Sequence, residues 1–579
     1  MWRPFSKQMP LFQVNMLLGN KKSKQISCGW AGIFQKEIMP LIPEDEFASL
    51  YCQNDGRPNF PVALLVGMSL IKETRNLTVE LLLHAFHFDL EVMGALGIGP
   101  GQYTLAERTY YNFRSKLVDS PAVMATFERL TDSMIQTLGL DTGRQRLDST
   151  QVCSNMAKLS RLDLFVRTIE GFLKVLVKAF SARAQELPQR LRERYLERSG
   201  GYFADTTGTK SKGRLEAAAR DVAWLIHRFG DDKEVRALPS FGLLARLFEE
   251  QCEVVHSPGV EPIGVPVPPD EVASTSLQNP SDPDATYSGH KGQGYQVQLA
   301  ETCAEGNPVE IILHVEVRGA HESDHSALLP YLDATEARGV GPDEVLADTA
   351  YNSGENFVEA MERGVELVAP IGGMKDIDDL GLLDFQIDWD TCSVARCPEG
   401  HAPTGQKPIG KGKGMNAHFD KATCAACDLR EDCPAGRNKA KLRLTQQDLA
   451  VAHCRHRGNT IEFKEDYKDR SGIERTNAEL KTRHAMRRLR SRGKKRVTLD
   501  VIFKVLACNV KRFCRYLVET RAREAAELAR TLAAASSLRR RWLPVVHPAT
   551  ASALRASRSD CVDHFSDDSL ALADFRHAA

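Results

Sequence analysis

The sequence predicts an α/β protein: a mixed sheet core preceded by a helical N-terminal domain and interrupted by a helical insertion and a small Cys-rich insertion. Three observations predict it. Residues 295–317 alternate apolar and polar side chains in two adjacent runs. Strand-like and helix-like stretches then alternate as far as residue 370, and long segments on either side carry helical periodicity. A chain of 579 residues holds several domains. Its formal net charge is zero, yet residues 435–500 contain 19 Lys and Arg against 8 Asp and Glu. A local block of that kind binds a polyanion even when the whole protein is neutral.

Taken in order, residues 1–57 carry little pattern. They have neither a long apolar core nor a small-residue cleavage site, so no targeting segment is read there. From 58 to about 140 the pattern is helical, with Val62, Leu65, Val66, Leu70 and Ile71 at helical spacing and a break at Asn76-Leu77-Thr78. The apolar run at 81–99 is interrupted by His84, His87, Asp89 and Glu91, which is not a membrane span. After GIGPGQ, the segment AERTYYNFRSKL carries Arg108, Arg114 and Lys116 beside Tyr110, Tyr111 and Phe113. It reads either as a helix-turn-helix-like DNA reader or as a packing helix whose aromatics are core.

RQRLDSTQVCSN reads as a strand from about 145 to 152, with Asp148 inside it against β propensity. Residues 160–255 return to helical periodicity, and HSPGVEPIGVPVPPDE is too rich in proline for regular structure. Residues 153–284 are therefore expected to leave a strand as a helical insertion and return to the same sheet. GYQVQLAET and PVEIILHVEVRG then make an antiparallel hairpin. A helix (HSALLPYLDATEARG), a strand (EVLAD), a helix (SGENFVEAMERG) and a strand (VELVAP) follow.

The segment YKDRSGIERTNAELKTRHAMRRLRSRGKKR, residues 467–496, is strongly basic. At 3.6 residues per turn, Tyr467, Arg470, Glu474 and Lys481 fall on one helical face. A glutamate set among cations along one stripe suits a metal ion with phosphates beside it. An exposed helix with i,i+4 ion pairs gives the same pattern. The order β-β-β-α-β-α-β, closed by the helix of Glu474, is that of an RNase H-like fold. There the first and fourth strands are neighbours, which brings Asp148 and Asp348 together.

On these residues the chain resembles bacterial insertion-sequence transposases of the DDE class, in the subgroup with a large insertion after the first aspartate. Leu147-Asp148-Ser149-Thr150 is similar to the first-aspartate segment, and Asp348-Thr349-Ala350-Tyr351 to the second, with Ala350 where relatives more often carry glycine. Tyr467, Arg470, Glu474 and Lys481 match the Y-x2-R-x3-E-x6-K signature at every position, and Gly472 close to Glu474 leaves a second reading in which the helix begins there and Tyr467 lies before it. SLQNPSDPDATYSGHKGQGYQVQLAETC looks like the family's return to the sheet, and the resemblance spans roughly 58–515.

The resemblance implies that Asp148, Asp348 and Glu474 hold Mg²⁺ or Mn²⁺ for in-line phosphoryl transfer, two ions about 3.5–4 Å apart. Water cuts first and the freed 3′-hydroxyl attacks target DNA. Tyr467, Arg470, Lys481, Arg487, Arg488 and Arg490 are the expected DNA contacts. The implied partners are double-stranded DNA, as inverted-repeat ends and target, and further copies of the chain on it, with no membrane. The implied location is the bacterial cytoplasm, at the nucleoid.

The domains so expected are an N-terminal segment 1–57, a helical DNA-binding domain 58–140, and a catalytic core of 141–152, 285–391 and 434–519. The helical insertion is 153–284, the Cys-rich insertion 392–433, and the tail 520–579. Within the tail an Ala- and Arg-rich helix gives way to a poorly ordered end, while LDVIFKVLACNVKRFCRYL before it is expected to be an amphipathic helix packing on the sheet.

Five of the 14 cysteines crowd into residues 392–433 and the others scatter, as in a reduced cytosolic protein with one metal cluster. Cys397, Cys424, Cys427 and Cys433 give a structural Zn²⁺ site, with Cys392 and His401 as substitutes for one ligand. Reduced, non-ligating cysteines are the other reading. KPIGKGKGMNAH between them reads as a basic glycine-rich loop. Two other functions remain open: an RNase H-like structure-specific nuclease, and a transposase-derived DNA-binding protein without catalysis. The three carboxylates argue against the second.

Overall fold

The computed structural model describes residues 1–5, 13–197, 208–255, 263–371, 380–409 and 413–542. Strand β1 (Arg144–Val152) is the axis of the sheet and is buried along most of its length. The chain leaves it for a helical insertion with a hydrophobic core of its own, centred on Phe165, Phe172, Leu225 and Leu244. The insertion closes with a hairpin of β2 (Cys252–Val255) and β3 (Ile263–Pro266). This corrects the expectation that the proline-rich stretch has no regular structure. A two-stranded ribbon tolerates proline at its end. Gly264 also lets β3 lie against the helix Gly208–Phe229, where a Cβ would meet Ala219 O at 2.7 Å.

The chain returns through β4 (Thr286–Ser288), β5 (Gly292–Thr302) and β6 (Ile312–Gly319), then β7 (Glu344–Leu346) and β8 (Glu366–Val368). Strand β5 pairs antiparallel with β1 from Gln145↔Thr302 to Val152↔Tyr295, and with β6 and β4 on its other edge. Strand β7 runs parallel to β1, and β8 parallel to β7. The first and fourth strands of the expected order, β1 and β7, are therefore neighbours.

One hydrophobic cluster joins the N-terminal helices, the sheet and the helix Lys494–Trp542. That helix corrects a second expectation. It is continuous where two helices were read, and residues 499–514 are buried on every side rather than along one stripe. Its polar residues are matched individually. Asn509 exchanges two hydrogen bonds with the Ile312 backbone, at 3.0 and 2.7 Å. Lys504 reaches Glu73 at 2.6 Å, and Asp500 pairs with Arg114. In the helix Glu107–Leu117, Tyr110, Phe113 and Leu117 are buried, so two of its three aromatics serve as core while Tyr111 is exposed.

After β8 a small lobe contains β9 (Gln386–Ile387), β10 (Val394–Arg396), β11 (Gly405–Pro408), β12 (Gly414–His418) and β13 (Lys441–Thr445). Strands β11, β12 and β13 form one sheet. The basic glycine-rich stretch is thus the arms of a hairpin rather than a loop, with residues 410–412 outside the described residues. The tail expected to be poorly ordered, from residue 543 on, also lies outside them. Among the described residues, no helix is long and apolar enough to cross a membrane.

Candidate active site

Three carboxylates from three elements converge on one guanidinium. Asp148 sits in β1 and is 8% exposed. Asp348 lies two residues beyond β7, in a turn where its Oδ1 accepts from Ala350 N at 2.8 Å. Alanine at 350 is therefore compatible with the turn. Glu474 opens the helix Gly472–Thr482, its side chain 65% exposed. Arg470 Nη2 lies 3.0 Å from Asp148 Oδ1 and 3.7 Å from Asp348 Oδ2, while Nη1 lies 3.0 Å from Glu474 Oε1.

Burial pushes the Asp148 carboxyl above the usual carboxylate range and the charge of Asp348 adds to this, while the Arg470 guanidinium works against both. The second oxygen of Asp148 accepts from Asn477 Nδ2 at 2.8 Å. Asn477 is a site residue that the sequence reading missed. Its signal was position, three residues after Glu474 and so on the same helical face.

The signature does not form one helical stripe. Tyr467–Ser471 is a 3₁₀ turn and the α-helix begins at Gly472. Gly472 approaches so close to Arg146 that a Cβ would lie 1.6 Å from its Nη1. Tyr467 stacks on Phe463, ring centroids 5.6 Å apart, and packs against Leu346 and Val368 at the ends of β7 and β8. Lys481 is half-buried in the last helical turn, and its ammonium pKa is lowered by burial and then by Arg487 and Lys291, against the pull of Asp148.

Beyond the helix the chain runs beside the end of β1, with Cys153 bridging Arg488. Arg488 donates to Met156 O at 3.2 Å, Arg490 to Leu77 O at 3.3 Å and Arg492 to Asn155 O at 2.5 Å. These three arginines, still exposed, also fasten the segment to the body.

The four thiols Cys397, Cys424, Cys427 and Cys433 line one cleft of about 150 Å³, with His401 on its wall. Burial raises the Cys424 thiol, and Cys433, Cys397 and Cys427 add to the effect. None of them is in a disulfide. Cys392 turns elsewhere, towards Lys413 O at 3.9 Å. Among the described residues, the donor atoms that lie within 4.8 Å of one another in a set of three are those of Glu479, His484 and Cys508. There Arg512 already donates to Glu479 at 2.9 and 3.2 Å, which supplies the positive charge.

Two family models match the chain. Residues 396–514 match the Transposase DDE domain, and residues 31–116 match the Transposase domain (DUF772). The first takes in the thiol cleft and Glu474, whereas Asp148 and Asp348 lie between the two matched stretches. No curated protein and no solved structure matches. The matched DDE domain implies an RNase H-like core, in keeping with the mixed sheet, and implies DNA cleavage and strand transfer with divalent metal. The chain thus carries a DUF772 transposase domain near its N-terminal end and a DDE transposase domain further on, the two parts found in insertion-sequence transposases.

Proposed function

We propose that the protein binds the ends of an insertion sequence, cleaves the DNA there and joins the 3′-hydroxyl ends to target DNA, with Asp148, Asp348 and Glu474 as the catalytic carboxylates. One observation carries this reading: carboxylates from a strand, a turn and a helix meet at a single cation. The donor set fits Mg²⁺ or Mn²⁺, because all three are hard oxygen ligands and Asn477 Oδ1 beside them is buried without a partner. A metal bound there supplies activation of the attacking oxygen and stabilisation of the leaving one. Arg470 keeps the carboxylates together in the protein alone and, with DNA present, takes a backbone phosphate through its planar fork. Tyr467, wedged against the ends of β7 and β8, packs beside the DNA backbone. Lys481 faces the cut, while Arg487, Arg488 and Arg490 grip flanking phosphates.

In the small lobe, Cys397, Cys424, Cys427 and Cys433 are four soft donors around one cleft, the kind of set that a structural Zn²⁺ takes. The test of function is a paired-end assay with labelled terminal DNA and a target plasmid. Joined products that require Asp148, Asp348 and Glu474 support transposition. Cleavage without joining under every metal and target condition points instead to a structure-specific nuclease.

A further inference from the structure

Strand β1 runs further than its neighbour. Its pairing with β7 ends at Arg146↔Leu346, and the next segment beside it begins at Cys153, which bridges Arg488. Residues 147–152 therefore border a notch on one edge of β1. Successive residues of a strand face opposite ways. Asp148 turns towards the helix of Glu474, and Ser149 turns to the other face.

There the turn between β4 and β5 closes over the end of β1. It does so because residue 294 is glycine: its φ is +143°, and a Cβ would meet Val152 O at 2.5 Å. The turn delivers Lys291, whose Nζ donates to Ser149 Oγ at 2.7 Å and lies 3.4 Å from Asp324 Oδ2. Asp324 does not belong to Lys291 alone, since it also accepts from Gln296 and from Gln298, the latter at 2.8 Å. The Lys291 side chain remains one-third exposed. Lys481 lies near enough for the Lys291 charge to be among those that depress its pKa, against the pull of Asp148.

We propose that Lys291 is a substrate-holding residue of this cleft, seating a DNA backbone phosphate next to the one that Lys481 holds. The proposal rests on the carboxylate reading above. An ammonium suits a phosphate as a point charge. Ser149 and the shared Asp324 hold it at the notch without fully neutralising it.

The test is single-turnover cleavage at saturating DNA, with substrates in which one phosphate at a time near the cut is replaced by a neutral methylphosphonate. Lys291→Ala and Lys291→Gln are expected to cut unmodified DNA roughly tenfold to a hundredfold more slowly. Methylphosphonate at one particular position should slow the wild type and Lys291→Arg but leave these two variants no slower than they already are. That non-additivity marks a direct contact. Melting temperatures accompany each variant, and Lys291→Gln keeps a donor for Ser149 and Asp324 should the alanine fold poorly. The proposal is overturned if both variants cut at the wild-type rate, or if they are slow yet remain sensitive at every position the wild type is. In the second case Lys291 only braces Ser149. Asp148→Ala runs in parallel. If it cuts normally the carboxylate reading fails, whereas if it is dead and Lys291 proves dispensable only the present proposal fails.

Discussion

The carboxylate cleft and the thiol cleft are held in opposite ways. The first stands on the large core shared by sheet, N-terminal helices and the helix Lys494–Trp542, and its like charges are reconciled by one partly buried arginine. The second stands on a small cluster around Phe385, Phe419, Leu442 and Leu444, between short strands. Small cores bury too little surface to stand without a cross-link or a metal. The contrast teaches that a site supported by its fold is assembled before any ligand arrives, whereas a lobe of this size, on the zinc reading proposed above, takes its rigidity from the metal.

The largest effect expected is on the first half of that comparison. Asp148→Ala, Asp348→Ala and Glu474→Ala should each lower single-turnover cleavage by about a thousandfold or more. Melting temperature and DNA binding should stay near wild type, because the core does not depend on them. Retained cutting by any one variant removes that residue from the site.

For the thiol half, the purified protein should hold about one Zn²⁺ per chain. Cys424→Ser with Cys427→Ser should lose it and open residues 392–445 to limited proteolysis while the sheet core resists. A metal-free double variant with an intact, protease-resistant lobe would erase the contrast.

Acid probes the first half through its packing. Burial holds the His484 imidazole down to about 4, and burial with the nearby Arg338 does the same for His314. Both stay neutral when folded and take a proton on unfolding. Their contribution is complete above the ordinary value of 6.5 and drains away as pH falls towards 4, by up to about 3 kcal/mol for each histidine. Thermal melts from pH 7 to 4.5 measure this. His484→Gln should flatten the curve if its side chain is accommodated.

The smallest effect is expected from Gly472→Ala. Its added Cβ displaces Arg146, which is anchored to Glu301 at 2.9 Å, so a loss of about 1–3 kcal/mol follows. The helix bearing Glu474 should shift relative to Asp148, and cleavage should slow without loss of DNA binding.

How much was legible depended on the range of the interaction. The order of strands was readable because alternation in 295–317 is local, and so was the neighbouring of β1 and β7, which follows from that order. The signature spacing located Arg470 and Glu474, and Gly472 signalled that the helix begins there; what the sequence could not show is the close approach of the distant Arg146 that requires the glycine. Asn477 and Lys291 were missed because their partners, Asp148 and Ser149, lie in another part of the chain. Proline content argued against β3, and only its partner strand and the close approach at Gly264 make it one. The amphipathic pattern expected of LDVIFKVLACNVKRFCRYL failed because Lys504, Asn509 and Arg512 find buried partners that periodicity does not register.

The bridging of Asp148 by Arg470 has a consequence for the newly made protein. The two residues are 322 positions apart, and the buried stretch 499–514 is a wall of the same core. During synthesis the first aspartate and both strands that pair with its own are made well before the arginine, the glutamate and then the supporting helix. A chain interrupted before that helix has both aspartates and no working site. On the proposed carboxylate reading, incomplete molecules therefore lack the cleft that cuts DNA, and a finished fold is the condition of activity.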